Sequence, residues 1–401
     1  MSSKIPPAIL LLLFALPVAA RPPDDSGSGF TDARAHSDSL TREQRLRIER
    51  ELEQSSRQLE QAGLLQSGVT SIDPYSLGWP LSVRAGFEFD DYHGVSNFVD
   101  LDPDYPGQLL DYMCNERTYD LASGYNHAGV DYFLWPYPWR MMDQEMVEIV
   151  AVAPGTILAR HDGNDDRNCS FGGDDWNAVY VQHADGSVAW YGHMKKHSLT
   201  SKGVGETVAA GEFLGLVGSS GNSTGPHLHL ELRASSEVGA AIHEAHAGAC
   251  RAGDSLWQAQ RPYYDTALNG LGVHDAEPSM VVDCPDPGQE AASLADQIAL
   301  GSPVWLSIYL RDVIDTQPVV ELALYRPDGQ LFHQWQFDFN PPQPTHYAGG
   351  WWWWRWNTLG SHPDLEGTWR FEVSMGNQTL ERTFVHGQSG TVFDDRFETL
   401  P

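Results

Sequence analysis

Residues 219–232 read Ser219-Ser220-Gly221-Asn222-Ser223-Thr224-Gly225-Pro226-His227-Leu228-His229-Leu230-Glu231-Leu232. A loop of Gly, Ser and Pro runs into a strictly alternating stretch, the pattern of a β-strand with one buried face. Residues i and i+2 of a strand project from the same side. His227 and His229 therefore point one way, while Leu228 and Leu230 face a core. Two imidazoles held side by side against an apolar layer suit one metal ligand plus one catalytic group. Two ordinary surface histidines on an edge strand would have no need of the glycine-rich loop before them.

Upstream, Asn177 to His193 reads as a hairpin around Asp185-Gly186, a type I′ turn signal. That turn sets His193 opposite Ala178 and Tyr191 opposite Tyr180, so His193 shares a face with polar-tipped rings. His183 falls with the apolar layer and is set aside. Further upstream, Asn126-His127-Ala128-Gly129-Val130-Asp131 places a histidine four residues before an aspartate. Imidazole nitrogen and carboxylate oxygen together suit zinc. The three places supply two histidines and one carboxylate as ligands, with two more histidines nearby. Three protein ligands leave a fourth position for water, the mark of catalytic zinc. Zinc lowers the pKa of its bound water toward about 7. No carboxylate in these motifs stands out as a base, so the spare histidines take that role.

Two look-alikes fail on spacing. Ile242-His243-Glu244-Ala245-His246 puts its histidines at i and i+3, whereas a zincin helix needs i and i+4. Asp162-Gly163-Asn164-Asp165-Asp166 starts like a calcium loop, but Arg167 stands where glycine is required and Gly173 where glutamate is.

Taken in order, these motifs resemble the lysostaphin/LytM-type zinc metallopeptidases that cleave peptide cross-links of bacterial cell walls. The resemblance covers about residues 121–233, through NHAGVD, VAPGTI (152–157), HADGSVAWYGHM (183–194) and VGETVAAGEFLGLVGSSGNSTGPHLHLEL (204–232). It implies one zinc per chain held by His127, Asp131 and His229, with His193 and His227 as the catalytic pair beside the bound water. It also implies a β-rich catalytic core of the duplicated hybrid motif type with its site in a groove. A secreted zinc metalloendopeptidase acting on peptidoglycan peptides is the leading reading, because all five positions are filled. The alternative is a catalytically silent LytM-like module that binds the wall or activates another hydrolase. Residues 133–148 and the Cys-bearing loop 161–176 depart from the family pattern and are expected near the groove, which bears on bond specificity.

The rest of the chain gives the expected organisation of a mainly β protein. Residues 1–20 have the charged start, apolar run and Val18-Ala19-Ala20 cleavage site of a secretory signal. That places the protein outside the cell or in the periplasm, and no later stretch is apolar enough to span a bilayer. Residues 21–38 read as a polar linker. Thr41 to Leu65 then reads as a helix, with a Thr41/Gln44 capping box and Ile48, Leu52, Leu59 and Ala62 on one stripe. The segment 21–70 reads equally as an inhibitory propeptide or a spacer. The peptidase domain is expected over 71–292, a small immunoglobulin-like β-sandwich over 293–388, and an acidic tail over 389–401. Trp351 to Trp354 and Trp356 read either as a sugar-stacking platform or as a core strand with an exposed edge.

Cys114, Cys169, Cys250 and Cys284 form no CxxC pair and are expected as two disulfides of an exported protein. Three connectivities exist, and the local one, Cys114–Cys169 with Cys250–Cys284, is favoured. The 25 Lys+Arg against 54 Asp+Glu give a formal charge of −29, which argues against nucleic-acid partners. A monomer is expected.

Overall fold

Runs in which branched and aromatic residues alternate with polar ones recur along the chain, and they form strands. The computed structural model describes residues 21–31, 37–65, 76–172, 175–280, 284–290, 293–315, 317–338 and 346–387. The expected signal and acidic tail lie outside the described residues. In chain order the first elements are β1 (Asp25–Thr31), α1 (Arg42–Gln61), β2 (Leu81–Val83), β3 (His93–Val95), β4 (Val130–Leu134) and α2 (Pro138–Asp143). There follow β5 (Val147–Val150), β6 (Gly155–His161), β7 (Ala178–His183), β8 (Val188–Gly192), β9 (Thr207–Val208), β10 (Phe213–Leu216) and β11 (His227–Arg233). The remainder is β12 (Ala267–His274), β13 (Gln297–Ile298), β14 (Val304–Ile314), β15 (Val320–Tyr325), β16 (Leu331–Phe337), β17 (His346–Trp356), β18 (Gly367–Met375) and β19 (Gln378–His386).

Seven strands form the sheet that matters most here, in the order β3-β4-β11-β8-β7-β6-β9. One face packs on the small sheet β10-β5-β2. The two share a core in which Leu228 and Leu230 join Val179, Val181, Tyr191 and Ile149. The other face carries Tyr180 and Trp190 and is covered by Ile48, Leu52 and Leu59 of α1. The expected Thr41/Gln44 capping box is formed, and the helix packs on the domain through its apolar stripe. Ala62, expected on the buried stripe, is instead the exposed C-cap.

The second half is a two-sheet sandwich, β1-β17-β14-β12 against β13-β19-β18-β15-β16. Its core includes Leu306, Ile308, Trp354, Trp356, Trp369 and Phe371. Two of its strands come from elsewhere than expected. β12 lies before residue 293 yet pairs with β14, and the supposed linker supplies β1, which pairs with β17 over Asp25↔Arg355 to Thr31↔Gly349. The sequence DSGSGFT has little strand propensity of its own. Its glycines are what let it dock: a Cβ on Gly27 would lie 2.6 Å from the Trp353 ring, and one on Gly29 2.0 Å from Trp351. The tryptophan run is accordingly no stacking platform. Trp352, Trp353, Trp354 and Trp356 are buried, and Trp351 packs against the core of the other half.

Two further expectations are corrected. The disulfides join Cys114 to Cys250 and Cys169 to Cys284, each tying distant segments, not sequence neighbours. The β7–β8 hairpin has a three-residue loop, with His183 N–H bonded to the Ser187 carbonyl (2.8 Å) and Gly186 at φ 92°. The register is thus Val179↔Tyr191 and Tyr180↔Trp190, one residue from that of a two-residue turn. Such a slip exchanges the two faces. Tyr191 turns to the main core, and Trp190 joins Tyr180 beneath α1.

Candidate active site

Strand β11 lies between β4 and β8. Its register sets His229 opposite Asp131 on one side and Gly192 on the other. Gly129 is needed at this crowded place, since a Cβ there would lie 2.7 Å from the His229 ring and from the Leu230 carbonyl. The alternation read from the sequence holds: His227 and His229 share one face, and Leu228 and Leu230 enter the core. His193 arrives by a different route from the one expected. It follows β8 at φ 60°, in the left-handed region, and that local turn swings its ring to the cluster.

All five residues singled out from the sequence come together, each with 0% exposure. Three rings are oriented by backbone carbonyls. The Nδ1–H of His127 donates to Phe98 O (2.7 Å), that of His193 to Ser220 O (2.6 Å) and that of His227 to Gly225 O (2.8 Å). In each case Nε2 is left facing the site, as outer hydrogen bonds commonly arrange for metal-binding or proton-moving imidazoles. His229 is the reverse. Its Nδ1 points inward, 3.0 Å from Asp131 Oδ1, and its Nε2 lies 3.5 Å from Glu231 Oε2. Asp131 is steadied from behind by Asn97 Nδ2 (3.2 Å).

Reading the sequence missed five residues, which fall in four places. Glu231 sits two residues beyond His229 on the same face, so the alternation already contained it. Its carboxylate is held by Arg45 (3.0 Å) and Arg233 (2.5 Å). Trp176, at the end of the Cys-bearing loop, packs edge-on against His193 with centroids 5.1 Å apart. The third is Asp38. Its Oδ2 lies 2.6 Å from His229 Nδ1 and 3.0 Å from His193 Nε2, while its Oδ1 accepts hydrogen bonds from Tyr119 (2.6 Å) and Tyr125 (2.8 Å). Those two tyrosines are the fourth addition, and no motif in the sequence marked them or Asp38.

Asp38, His127, Asp131 and His229 each offer one ligand atom, all within 4.8 Å of one another. These residues fit a metal ion. His127 Nε2 is buried, lies 3.0 Å from Asp131 Oδ1 and has no hydrogen-bond partner, as expected of a ligand nitrogen whose partner is an ion. Mixed imidazole and carboxylate donors suit zinc. Asp38, His193 and His227 form a second such group, with the two rings 4.4 Å apart.

The electrostatics follow from the burial. Burial would raise the Asp131 carboxyl, but His127 and His229 hold it below the usual carboxylate range. Burial would lower His229, yet Asp38 with Asp131 and Glu231 pushes it well above the usual imidazole range. His227 makes no hydrogen bond to a carboxylate, and Asp131, 3.8 Å from its Nε2, only partly offsets the rest. Burial, then the neighbouring His193, push it down to about 4, so at neutral pH it is uncharged with a lone pair at Nε2. Burial and then Asp38 raise Tyr119 and Tyr125 far above their ordinary value, so both hydroxyls remain donors.

Neither look-alike motif joins the cluster. His243 is exposed, whereas His246 is buried and bonds Glu244 through Nδ1 (2.6 Å). Of the two departures from the family pattern, 133–148 packs largely into the main core through Trp135, Tyr137 and Met141, and 161–176 reaches the site through Trp176.

A buried His/Asp cluster on the central strands of an antiparallel sheet defines a β-rich domain with a candidate metal centre. Comparison with known proteins gives the class: residues 137–241 match the family described as peptidase family M23. That match is in keeping with the LytM-type resemblance. The matched segment contains His193, His227 and His229, while His127 and Asp131 precede it. A stretch of 57 residues, 14% of this chain, is 46% identical to the DD-carboxypeptidase/endopeptidase Mpg of Neisseria meningitidis serogroup B, and covers 12% of that protein. The Mpg protein of Neisseria gonorrhoeae matches to the same extent. The chain thus aligns with about an eighth of the length of these curated relatives. Among the described residues no helix is long and apolar enough to cross a membrane, and the two disulfides fit an oxidising compartment.

Proposed function

We propose that this protein is a secreted or periplasmic zinc metalloendopeptidase that hydrolyses peptide cross-links of bacterial peptidoglycan. His127, Asp131 and His229 would hold the metal, and His193 and His227 would serve the reacting groups. The observation that carries this reading is the convergence of all five side chains, three of them with Nε2 turned inward by backbone carbonyls. The endopeptidase named among the relatives supports the wall peptide as substrate.

Zinc in this site would supply electrophilic activation of water and of the scissile carbonyl. The protein's own groups do the rest. His227, uncharged at neutral pH, can accept a proton at Nε2 and pass it to the leaving nitrogen. Its Nδ1–H stays anchored on Gly225 throughout. His193, held by Ser220, presents Nε2 to the same space as a second proton-handling and hydrogen-bonding group. Glu231, fixed between Arg45 and Arg233, orients the His229 ring from its outer side.

The test uses defined peptidoglycan fragments with mass-spectrometric identification of the products. Hydrolysis is expected to stop on chelation, return with added zinc, and be absent in His229→Ala. Hydrolysis that persists without bound metal overturns the reading. Asp38 in the middle of the cluster favours a second reading, the catalytically silent module. That reading requires intact zinc binding with no bond cleaved by any form of the protein, including one whose Asp38 carboxylate has been removed.

A further inference from the structure

We propose that the aromatic cavity at the junction of the two halves binds an acetamido group, the substituent carried by the N-acetylated amino sugars of a wall glycan. The proposal rests on the peptidoglycan reading above for the source of that group. The cavity lies on the other face of β4 from the His/Asp cluster. Tyr132 pairs with Leu228 and shares its face, whereas Asp131 pairs with His229. Rings build the walls, among them Trp79, Phe98, Tyr112, Tyr132, His246 and Trp257. Tyr112 stacks on His246 at 4.8 Å, and Trp79 meets Tyr132 edge-on at 5.1 Å. Arg311 and Asp312 of β14 close the far side. The space, mouth included, is about 450 Å³, and junctions of this kind are where small ligands bind.

Three donors in these walls lack an acceptor. Tyr132 is 1% exposed, Arg311 5% and Trp257 9%. The Tyr132 hydroxyl, Arg311 Nε–H and Trp257 Nε1–H are buried without a hydrogen-bond partner among the described residues. A native fold seldom leaves such groups unmade. Their neighbours are satisfied: Trp79 Nε1–H donates to the Tyr92 hydroxyl (2.9 Å) and the Tyr263 hydroxyl to Asp111 (2.5 Å). What is missing is therefore an acceptor, and the charges decide which kind. Arg261 and Arg311 both pair with Asp265, at 2.8 and 3.0 Å, and Asp312 pairs with Arg117 at 2.5 Å. An anion would meet carboxylates here and find every arginine taken. Burial, then Glu244, hold the Tyr132 hydroxyl well above its ordinary value, so it stays a donor. A neutral carbonyl oxygen needs only donors, and a small methyl beside it packs on the ring faces. The acetamido group has both. Its sugar ring would stay at the rim, where Pro262 is exposed and Arg261 lies over Trp79 at 4.0 Å. Phe98 connects the two sites: its ring lines the cavity, and its carbonyl holds His127 Nδ1 (2.7 Å).

The test titrates the full-length protein with N-acetylglucosamine, acetamide, glucosamine, glucose and acetate, read by saturation-transfer NMR and tryptophan fluorescence. N-acetylglucosamine and acetamide are expected to bind, with transfer strongest at the acetyl methyl; the other three are expected not to. Trp257→Phe and Tyr132→Phe keep the rings and delete one donor each. Each should weaken N-acetylglucosamine binding roughly three- to tenfold, and the pair covers the case in which one variant is unstable. Trp257→Phe should leave hydrolysis of sugar-free wall peptides unchanged. Absence of N-acetylglucosamine binding in wild type, equal binding of glucose or glucosamine, or unchanged binding in the stable variants overturns the site. Acetate displacing N-acetylglucosamine overturns the neutral ligand in favour of an anion. If the binding pattern is found but no wall peptide is hydrolysed, the peptidase reading fails and the acetamido site stands.

Discussion

Strands β11 and β17 each carry a run of one residue type that stands out on inspection, histidines at 227 and 229 in one and five tryptophans between 351 and 356 in the other. Both lie inside sheets, flanked by partners on either side. They do opposite things. In β11 the residue type changes at every step, so one face is polar and the other apolar. The polar face meets further polar groups: Asp131 on the neighbouring strand, His193 at the end of another and Glu231 two places on. In β17 both faces are aromatic because both are covered. Trp352, Trp354 and Trp356 fill the sandwich core, while Trp351 packs toward Trp135 of the other half and Trp353 lies over Gly27. A concentration of unusual residues is thus a weak sign of a site. A change of chemistry at period two, with converging partners, is a strong one.

That contrast can be broken by three substitutions. The largest effect is expected from His227→Ala. Removing the uncharged proton acceptor should reduce kcat on peptidoglycan fragments by about 10²–10⁴-fold while zinc content, measured by elemental analysis, stays at one per chain. Loss of zinc together with activity would make His227 a ligand and redraw the division between the two pairs of roles. Trp354→Ala should do the reverse. Thermal or denaturant unfolding is expected to show a loss of about 3–5 kcal/mol, as for large aromatic truncations in a packed core, with zinc affinity unchanged below the transition. A change of carbohydrate binding without a change of stability would return the tryptophans to a recognition role.

The smallest effect sharpens the comparison through a histidine on the structural side. His274, on β12, is buried among Ser293, Ser307 and Tyr309, at 3.0, 2.8 and 3.1 Å. Burial, with Arg382 nearby, pushes it down to about 3. The unfolded chain takes up a proton near the ordinary imidazole value that the folded chain refuses. Stability from this group is therefore complete above about pH 6.5 and falls as the pH drops toward 3, by at most about 1.4 kcal/mol per unit. Unfolding midpoints of His274→Asn should show a shallower pH dependence across that window. An unchanged slope would mean that other groups dominate.

How much of this was legible in the sequence depends on the range of the interaction. His227, His229 and the His127/Asp131 pair were readable because strand periodicity and short spacing fix their relative placement locally. His193 was found, but through a hairpin register off by one residue, since Ala184-Asp185-Gly186 forms a three-residue loop that the Asp-Gly signal does not distinguish from a two-residue turn. Asp38 was not readable at all. It sits in a polar stretch without period, and its meaning comes from contacts with residues 81 to 191 positions away. The disulfides failed for the same reason. Cys114–Cys250 and Cys169–Cys284 are set by packing between distant segments, and nearness in sequence was a poor guide.

The anchoring of the amino-terminal segment has a consequence for competition. On one side of Asp38, β1 is stitched to β17; on the other, α1 is packed on the sheet, and only five residues separate Thr31 from Ser37. A ligand tethered so closely acts at an effective concentration of the order of millimolar or above. A free carboxylate at micromolar levels would be outnumbered there by about a thousandfold. The Asp38 carboxylate therefore meets His193 and His229 as a tethered group, and a dilute free acid does not displace it.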